Sequence, residues 1–184
     1  QALMQPATAA RQGFEPSRFN FIGNGNQEAP VCVVRTDTGI RSFKEVFERE
    51  LVLGTPGGGS TVHEHSVIGR EILGARFRIV TGYPGSREIM LAAQRGEVQG
   101  SCAFMVSALK SAFGPYYSSG DLRPVLQAAR KSPELSGVPH ILDLARNDEE
   151  RAVMRLVSDR DIMGRSIAFP PGVPADRYFL YRVT

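Results

Sequence analysis

The chain has 184 residues, 42% of them apolar, with a net charge of +3, a size that suits one ordinary domain or two small lobes around a real core. Lys44, Lys110 and Lys131 are the only lysines, and the arginines are scattered among acids with no basic stripe, which argues against a nucleic-acid surface. No apolar run approaches ~18 residues, so no membrane-spanning helix is expected. In chain order, Phe19 to Ile22 and Val31 to Val34 read as strands, with the turn chemistry of Gly23-Asn24-Gly25-Asn26 between them. Ser42 caps a predicted helix from Phe43 to Arg49, with Phe43, Val46 and Phe47 on one face. Leu51-Val52-Leu53 is a strand, and the spacing of Val62, Val67, Ile68, Ile72 and Leu73 is helical as far as Gly74. Phe77 to Val80 is the next strand, and a helix with Ile89, Met90, Leu91 and Ala93 ends at Gly96. Val98 to Phe104 and Val125 to Ala129 are strand-like. Pro133, Pro139, Pro170, Pro171 and Pro174 punctuate the last third, which keeps one predicted helix from Glu149 to Val157. Strands alternating with helices predict an α/β fold with a largely parallel sheet.

The most informative stretch is Gly54-Thr55-Pro56-Gly57-Gly58-Gly59-Ser60-Thr61-Val62-His63, set between a strand and a helix. Glycines let backbone N–H groups crowd a ligand, and the first helical turn has N–H groups with no internal partner and a partial positive charge. That combination is an anion cradle, to which Ser60 or Thr61 can add a hydroxyl. A tight turn with a Ser/Thr cap is the plainer account of the same letters. A phosphate-binding P-loop fails because Ser60 stands where its lysine belongs. A nucleophile elbow fails because Val62 replaces its last glycine. His63 and His65 lie two residues apart and point to nearly opposite sides of a helix, so they do not form a zinc pair and are expected at the surface or in lobe packing.

A second polar loop, Thr81-Gly82-Tyr83-Pro84-Gly85-Ser86, also follows a strand and precedes a helix. In parallel sheets ligands collect beyond the carboxyl ends of the strands, so both loops belong on one rim, with a third rim position near Gly100-Ser101. Cys32 and Cys102 sit in strand-like runs; a disulfide needs an oxidising compartment, and two buried free thiols are the expected state.

Three strings together resemble the substrate-binding proteins of tripartite tricarboxylate transporters, the Bug or TctC family. They are Gly57-Gly58-Gly59-Ser60-Thr61-Val62-His63, Ile79-Val80-Thr81-Gly82-Tyr83-Pro84-Gly85 and Arg95-Gly96-Glu97-Val98. The proline-rich segments from Ser132 to Pro139 and Pro170 to Arg177 are similar to those of the family, and the likeness spans roughly Phe14 to Arg177. It implies an α/β, two-lobed periplasmic-binding-protein type II fold that closes on a small organic carboxylate and hands it to membrane permease subunits. The implied location is periplasmic, with no catalytic residues, metal or cofactor. Carried over by position, the ligand-facing residues are Gly58, Gly59, Ser60 and Thr61 in the first loop, Tyr83, Gly85 and Ser86 in the second, and Ser101.

Gln99 departs from the family's usual aspartate after Val98, which puts the local hydrogen bonding in question. Relative to the family, the chain is expected to be a fragment with one lobe complete and the other partial. Residues 37–120 would be the second lobe, carrying the cradle, while 1–36 and 121–184 would hold the crossing strands and a remnant of the first. Unpaired strand edges on a remnant lobe are expected to favour self-association. Two rival readings are the ligand-sensing domain of a LysR-type transcription regulator and a small α/β enzyme acting on a phosphate ester. The regulator gives no account of the Gly-Gly-Gly-Ser turn. The enzyme has only His63, His65 and His140, none in a recognisable Ser/His/Asp or Cys/His arrangement.

Overall fold

The computed structural model describes residues 15–25, 28–162 and 164–178. Expectations that touch Gln1 to Phe14, Asn26 or the last residues of the chain lie outside these. The chain divides into two compact units, Glu28–Ile162 and a second made of the segments Gln1–Gln27 and Met163–Thr184.

Within the larger unit five strands are hydrogen-bonded in the order β4-β3-β5-β2-β6. They are β2 (Pro30–Arg35), β3 (Leu51–Thr55), β4 (Phe77–Thr81), β5 (Gly100–Met105) and β6 (Leu122–Gln127). β3 is parallel to β4 and β5, whereas β2 runs antiparallel to both β5 and β6. The sheet is therefore mixed, with its parallel part confined to β4, β3 and β5. The parallel ladders are those linked by helical crossovers, through α1 (Thr61–Glu71) and α2 (Ser86–Gln94), while β2 enters from an earlier part of the chain.

Two cores lie on opposite faces of this sheet. Along β2, Val31 and Val33 belong to one, and Cys32 and Val34 to the other, as the two-residue period of a strand requires. The first core takes Ile89, Met90, Ala92 and Ala93 from α2, and Val106 and Leu109 from α3 (Val106–Ala112). The second takes Phe43 and Val46, Leu73, and Met154 of α5 (Asp148–Ile162). Phe43 stands edge-on to Phe77, with ring centroids 5.9 Å apart. The predicted helix from Phe43 to Arg49 is a shorter 3-10 turn, Phe43–Phe47. A short α4 (Gly114–Ser118) follows α3; neither was predicted.

Cys32 and Cys102 form a disulfide, which overturns the expectation of two free thiols. The pairing of β2 with β5 shifts between Val31 and Val33, and Ala103 on β5 adopts a left-handed φ of 59°. This bulge sets Cys102 against Cys32 across the two central strands. Gln99 answers the question raised by its departure from aspartate. Its N–H donates to Val52 O (2.8 Å), and its side-chain Oε1 accepts the Val52 N–H (2.9 Å), so it extends the β3–β5 ladder by one residue. Gln127 does similar work on the proline-rich loop. Its amide donates to Leu135 O (3.0 Å) and Val138 O (2.7 Å) while Oε1 accepts from Ser132 N–H (2.9 Å).

In the smaller unit, β1 (Asn20–Asn24) pairs antiparallel with β7 (Ser166–Phe169), and α6 (Ala175–Tyr178) lies near its end. β1 runs on through Gly23 and Asn24, which were expected in a turn.

Candidate ligand-binding site

β3 and β4 are parallel and in register, with Thr55 opposite Thr81, so the chain leaves the sheet at the same end both times. Gly82 N–H donates to Pro56 O (3.3 Å) and Tyr83 N–H to Thr55 O (3.4 Å), which ties the second loop to the first. The Tyr83 ring lies over β3, where a Cβ at Gly54 would come within 3.2 Å of its Cε2.

Gly57 and Gly59 have φ of 130° and 83°, conformations open to glycine at no steric cost. A Cβ added at Gly57, Gly58 or Gly59 would meet nothing within 4 Å, so this run borders open space. Ser60 is the N-cap of α1, with extended backbone. Its Oγ accepts the His63 N–H (3.2 Å) and donates to Gly57 O (2.8 Å), which shapes the turn as well as capping the helix. Thr61 opens α1 and is half-buried, while Gly85 is the N-cap of α2 and Ser86 its exposed first residue.

Gly58, Gly59, Ser60, Thr61, Tyr83, Gly85 and Ser86 are thus carried by two loops side by side at one end of the sheet. Ser101 is placed differently. It is fully buried at the start of β5, and its Oγ donates to Gly54 O (2.7 Å), bracing the strand beneath the loops. His63 was expected only at the surface or in packing. Its Nδ1 lies 3.1 Å from the hydroxyl of Thr55, the buried last residue of β3, so it ties the first turn of α1 to the strand end. The signal for this was its position three residues after the cap, where a helical side chain leans back toward the N-terminus.

The two helix starts differ in charge. Glu64 in the first turn of α1 is engaged by Arg160 of α5. Glu88 in the first turn of α2 reaches back toward Gly85, its Oε2 3.2 Å from where a Cβ would stand. A carboxylate there already answers the positive end of α2, so the start of α1 is the stronger position for an added anion. Among the described residues no cluster of three or more His, Cys, Asp or Glu could hold a metal ion, and no helix is long and apolar enough to cross a membrane. A shallow recess of about 500 Å³ runs along α5 at Arg151, Arg155, Leu156 and Asp159, away from the loops. Its acids and arginines balance one another, which leaves it without the one-sided polarity of the α1 start.

No protein-family model matches the chain, and no curated protein does either. Solved structures do. A TctC solute-binding protein from Polaromonas, without ligand, superposes with a TM-score of 0.56 at 14% identity, over 94% of this chain and 72% of that one. An R. palustris protein solved with adipate gives 0.57 at 20% identity, over 92% and 66%. MatC from Rhodopseudomonas palustris, with bound malate, gives 0.57 at 15%, over 98% and 70%. The chain has the fold of the TctC solute-binding proteins. It spans about two thirds of the length of these three, and 53% of a fourth, a periplasmic transporter with a TM-score of 0.59. The TctC-type fold is thus the mixed α/β arrangement expected of a periplasmic binding protein, present here in part.

Proposed function

We propose that the protein is a TctC-type solute-binding protein that captures a small organic carboxylate in the periplasm for the permease subunits of a tripartite tricarboxylate-type transporter. The observation that carries this reading is the pair of strand–loop–helix rims joined through Thr55 and Pro56, with the capped start of α1 facing open space. A helix N-terminus and glycine N–H groups suit a carboxylate without any charged side chain. Two proteins of the same fold were solved with the dicarboxylates adipate and malate. The Cys32–Cys102 disulfide fits an oxidising compartment such as the periplasm. A binder is favoured over a catalyst because the histidines are committed elsewhere: His63 to Thr55, His65 to Asp161 and His140 to backbone groups. In this reading residues 37–120 are the cradle lobe, with β2 and β6 as crossing strands, and unpaired strand edges of the remnant lobe are the site for self-association.

The test is an amide NMR titration of the chain with malate, adipate and their dimethyl esters. The diacids are expected to shift Gly59, Ser60, Thr61 and Val62 with Kd near the millimolar range, because a few solvent-screened contacts supply only about 4 kcal/mol. The esters should leave them unmoved. Replacing Ser60 and Thr61 together by alanine should weaken diacid binding and cost about 0.5–2 kcal/mol of stability through the lost cap. Equal shifts with acids and esters, or no shift at about ten times the millimolar range, would refute the carboxylate reading.

A further inference from the structure

Glu64 is the acid in the first turn of α1 and Glu88 the acid in the first turn of α2, and the two are held differently. Glu88 turns back over its own helix start at Gly85. Glu64 stands one turn beyond Ser60, whose carbonyl accepts its N–H (3.0 Å), about 6 Å along the helix axis. Residues three and four apart share a helix face, and helical side chains lean toward the N-terminus, so Glu64 stands over Thr61 and Ser60. Left to itself, its carboxylate would settle at the positive end of α1, the most favourable place for an acid. There it would occupy the position that a ligand carboxylate needs. Instead the Arg160 guanidinium, from the last turn of α5 and 96 residues away in sequence, takes it through Nη2 to Oε2. The two side chains are 22% and 24% exposed, so water reaches the pair and its worth to stability is small. What the pair decides is where a negative charge sits.

We propose that Arg160 sets the anion affinity of the candidate cradle: by drawing Glu64 aside to α5 and cancelling its charge, it leaves the start of α1 open to a carboxylate from outside. The inference rests on the carboxylate reading of the α1 start given above. Arg160 touches no ligand in this role; it is a positioning residue that acts through Glu64. The pair sums to zero charge beside the cradle. Either partner alone would leave a full charge there, Glu64 repelling a dicarboxylate and Arg160 attracting it. At α2 the acid stays over its own helix start, and that end is already answered. The two rims therefore divide the work: α1 receives the ligand's charge, and α2 meets the parts of the ligand that carry none.

The test is an amide NMR titration of the whole chain with malate at neutral pH in about 0.01 M sodium chloride, where the Debye length is about 30 Å. Arg160→Gln is expected to raise the malate Kd read at Gly59, Ser60 and Thr61 about two- to fivefold, the size of one charge at a solvent-screened helix end. Glu64→Gln should lower it by a similar factor, and the double variant should return to near the wild-type value. In about 1 M salt, where the Debye length is about 3 Å, the differences among these proteins should close. A merely structural Arg160 would weaken binding with or without Glu64 and at both salt concentrations, and that result overturns the proposal. So does a Glu64→Gln that binds malate no tighter than the wild type; if Arg160→Gln does not fold, this comparison decides. A wild type that gives no shift with malate fails the carboxylate reading itself, whereas a wild type that binds, with variants that match it, fails only the role of Arg160.

Discussion

At the scale of single residues, the turn and cap that carry the candidate cradle were legible because their signals are local. Glycines that need a left-handed backbone, and a serine at the N-cap, act through neighbours in sequence, and Gly57, Gly59 and Ser60 do so here. Residues whose roles depend on a strand brought in from elsewhere were not legible. Gly100 is one: a Cβ there would sit 2.2 Å from Val33 O and 3.1 Å from Val34 Cα, backbone atoms that cannot rotate away. Gly100→Ala is expected to force β5 from β2 and to destabilise by at least the 1–3 kcal/mol typical of overpacking, about the upper end or more. A urea denaturation midpoint close to that of the wild type would show that the strands yield. Cys32 and Cys102 teach the same lesson. Each lay in a recognisable strand, but only the register of β2 on β5 makes them partners, and no local pattern states a register.

Among the elements, strands and long helices were read from apolar runs and periodicity, while short ones were missed. α3 and α4 bury few side chains and meet at Gly114-Pro115, letters that read as a turn. Gln99 shows an element finished by a side chain, since its Oε1 takes the place of a backbone carbonyl opposite Val52. Gln99→Ala is expected to cost about 1–3 kcal/mol in chemical denaturation, because the Val52 N–H loses its acceptor between strands. The 3-10 turn after Ser42 carries a pH-dependent contact. The Glu45 carboxylate is held below its ordinary range chiefly by the Arg41 N–H, with help from the Ser42 N–H and the Arg49 charge against an opposing effect of burial. A carboxyl whose folded value is depressed stabilises fully above its unfolded value, here 4.5, and that stabilisation is lost as pH falls. The difference in urea midpoint between wild type and Glu45→Gln should therefore shrink from about pH 6 to pH 3. A constant difference would mean that the cap does not depend on charge.

For the whole molecule, alternation of strands and helices gave the α/β class, and the resemblance gave the TctC-type fold. The strand order escaped, because β2 and β6 are joined to their neighbours by long stretches whose direction periodicity does not encode. Closing a loop across 70 residues, the Cys32–Cys102 bond is expected to contribute about 2–4 kcal/mol. Replacing both cysteines by serine should lower the unfolding midpoint accordingly, and an unchanged midpoint would mean that the sheet holds β2 without it. The place of β2 also fixes an order of events. It is made before every other strand of its sheet, yet both of its partners, β5 and β6, come after β3 and β4. During synthesis it must wait, apolar and unpaired, until some 70 later residues have emerged. A chain built this way cannot close its central sheet until β5 and β6 have been made, long after its first strand.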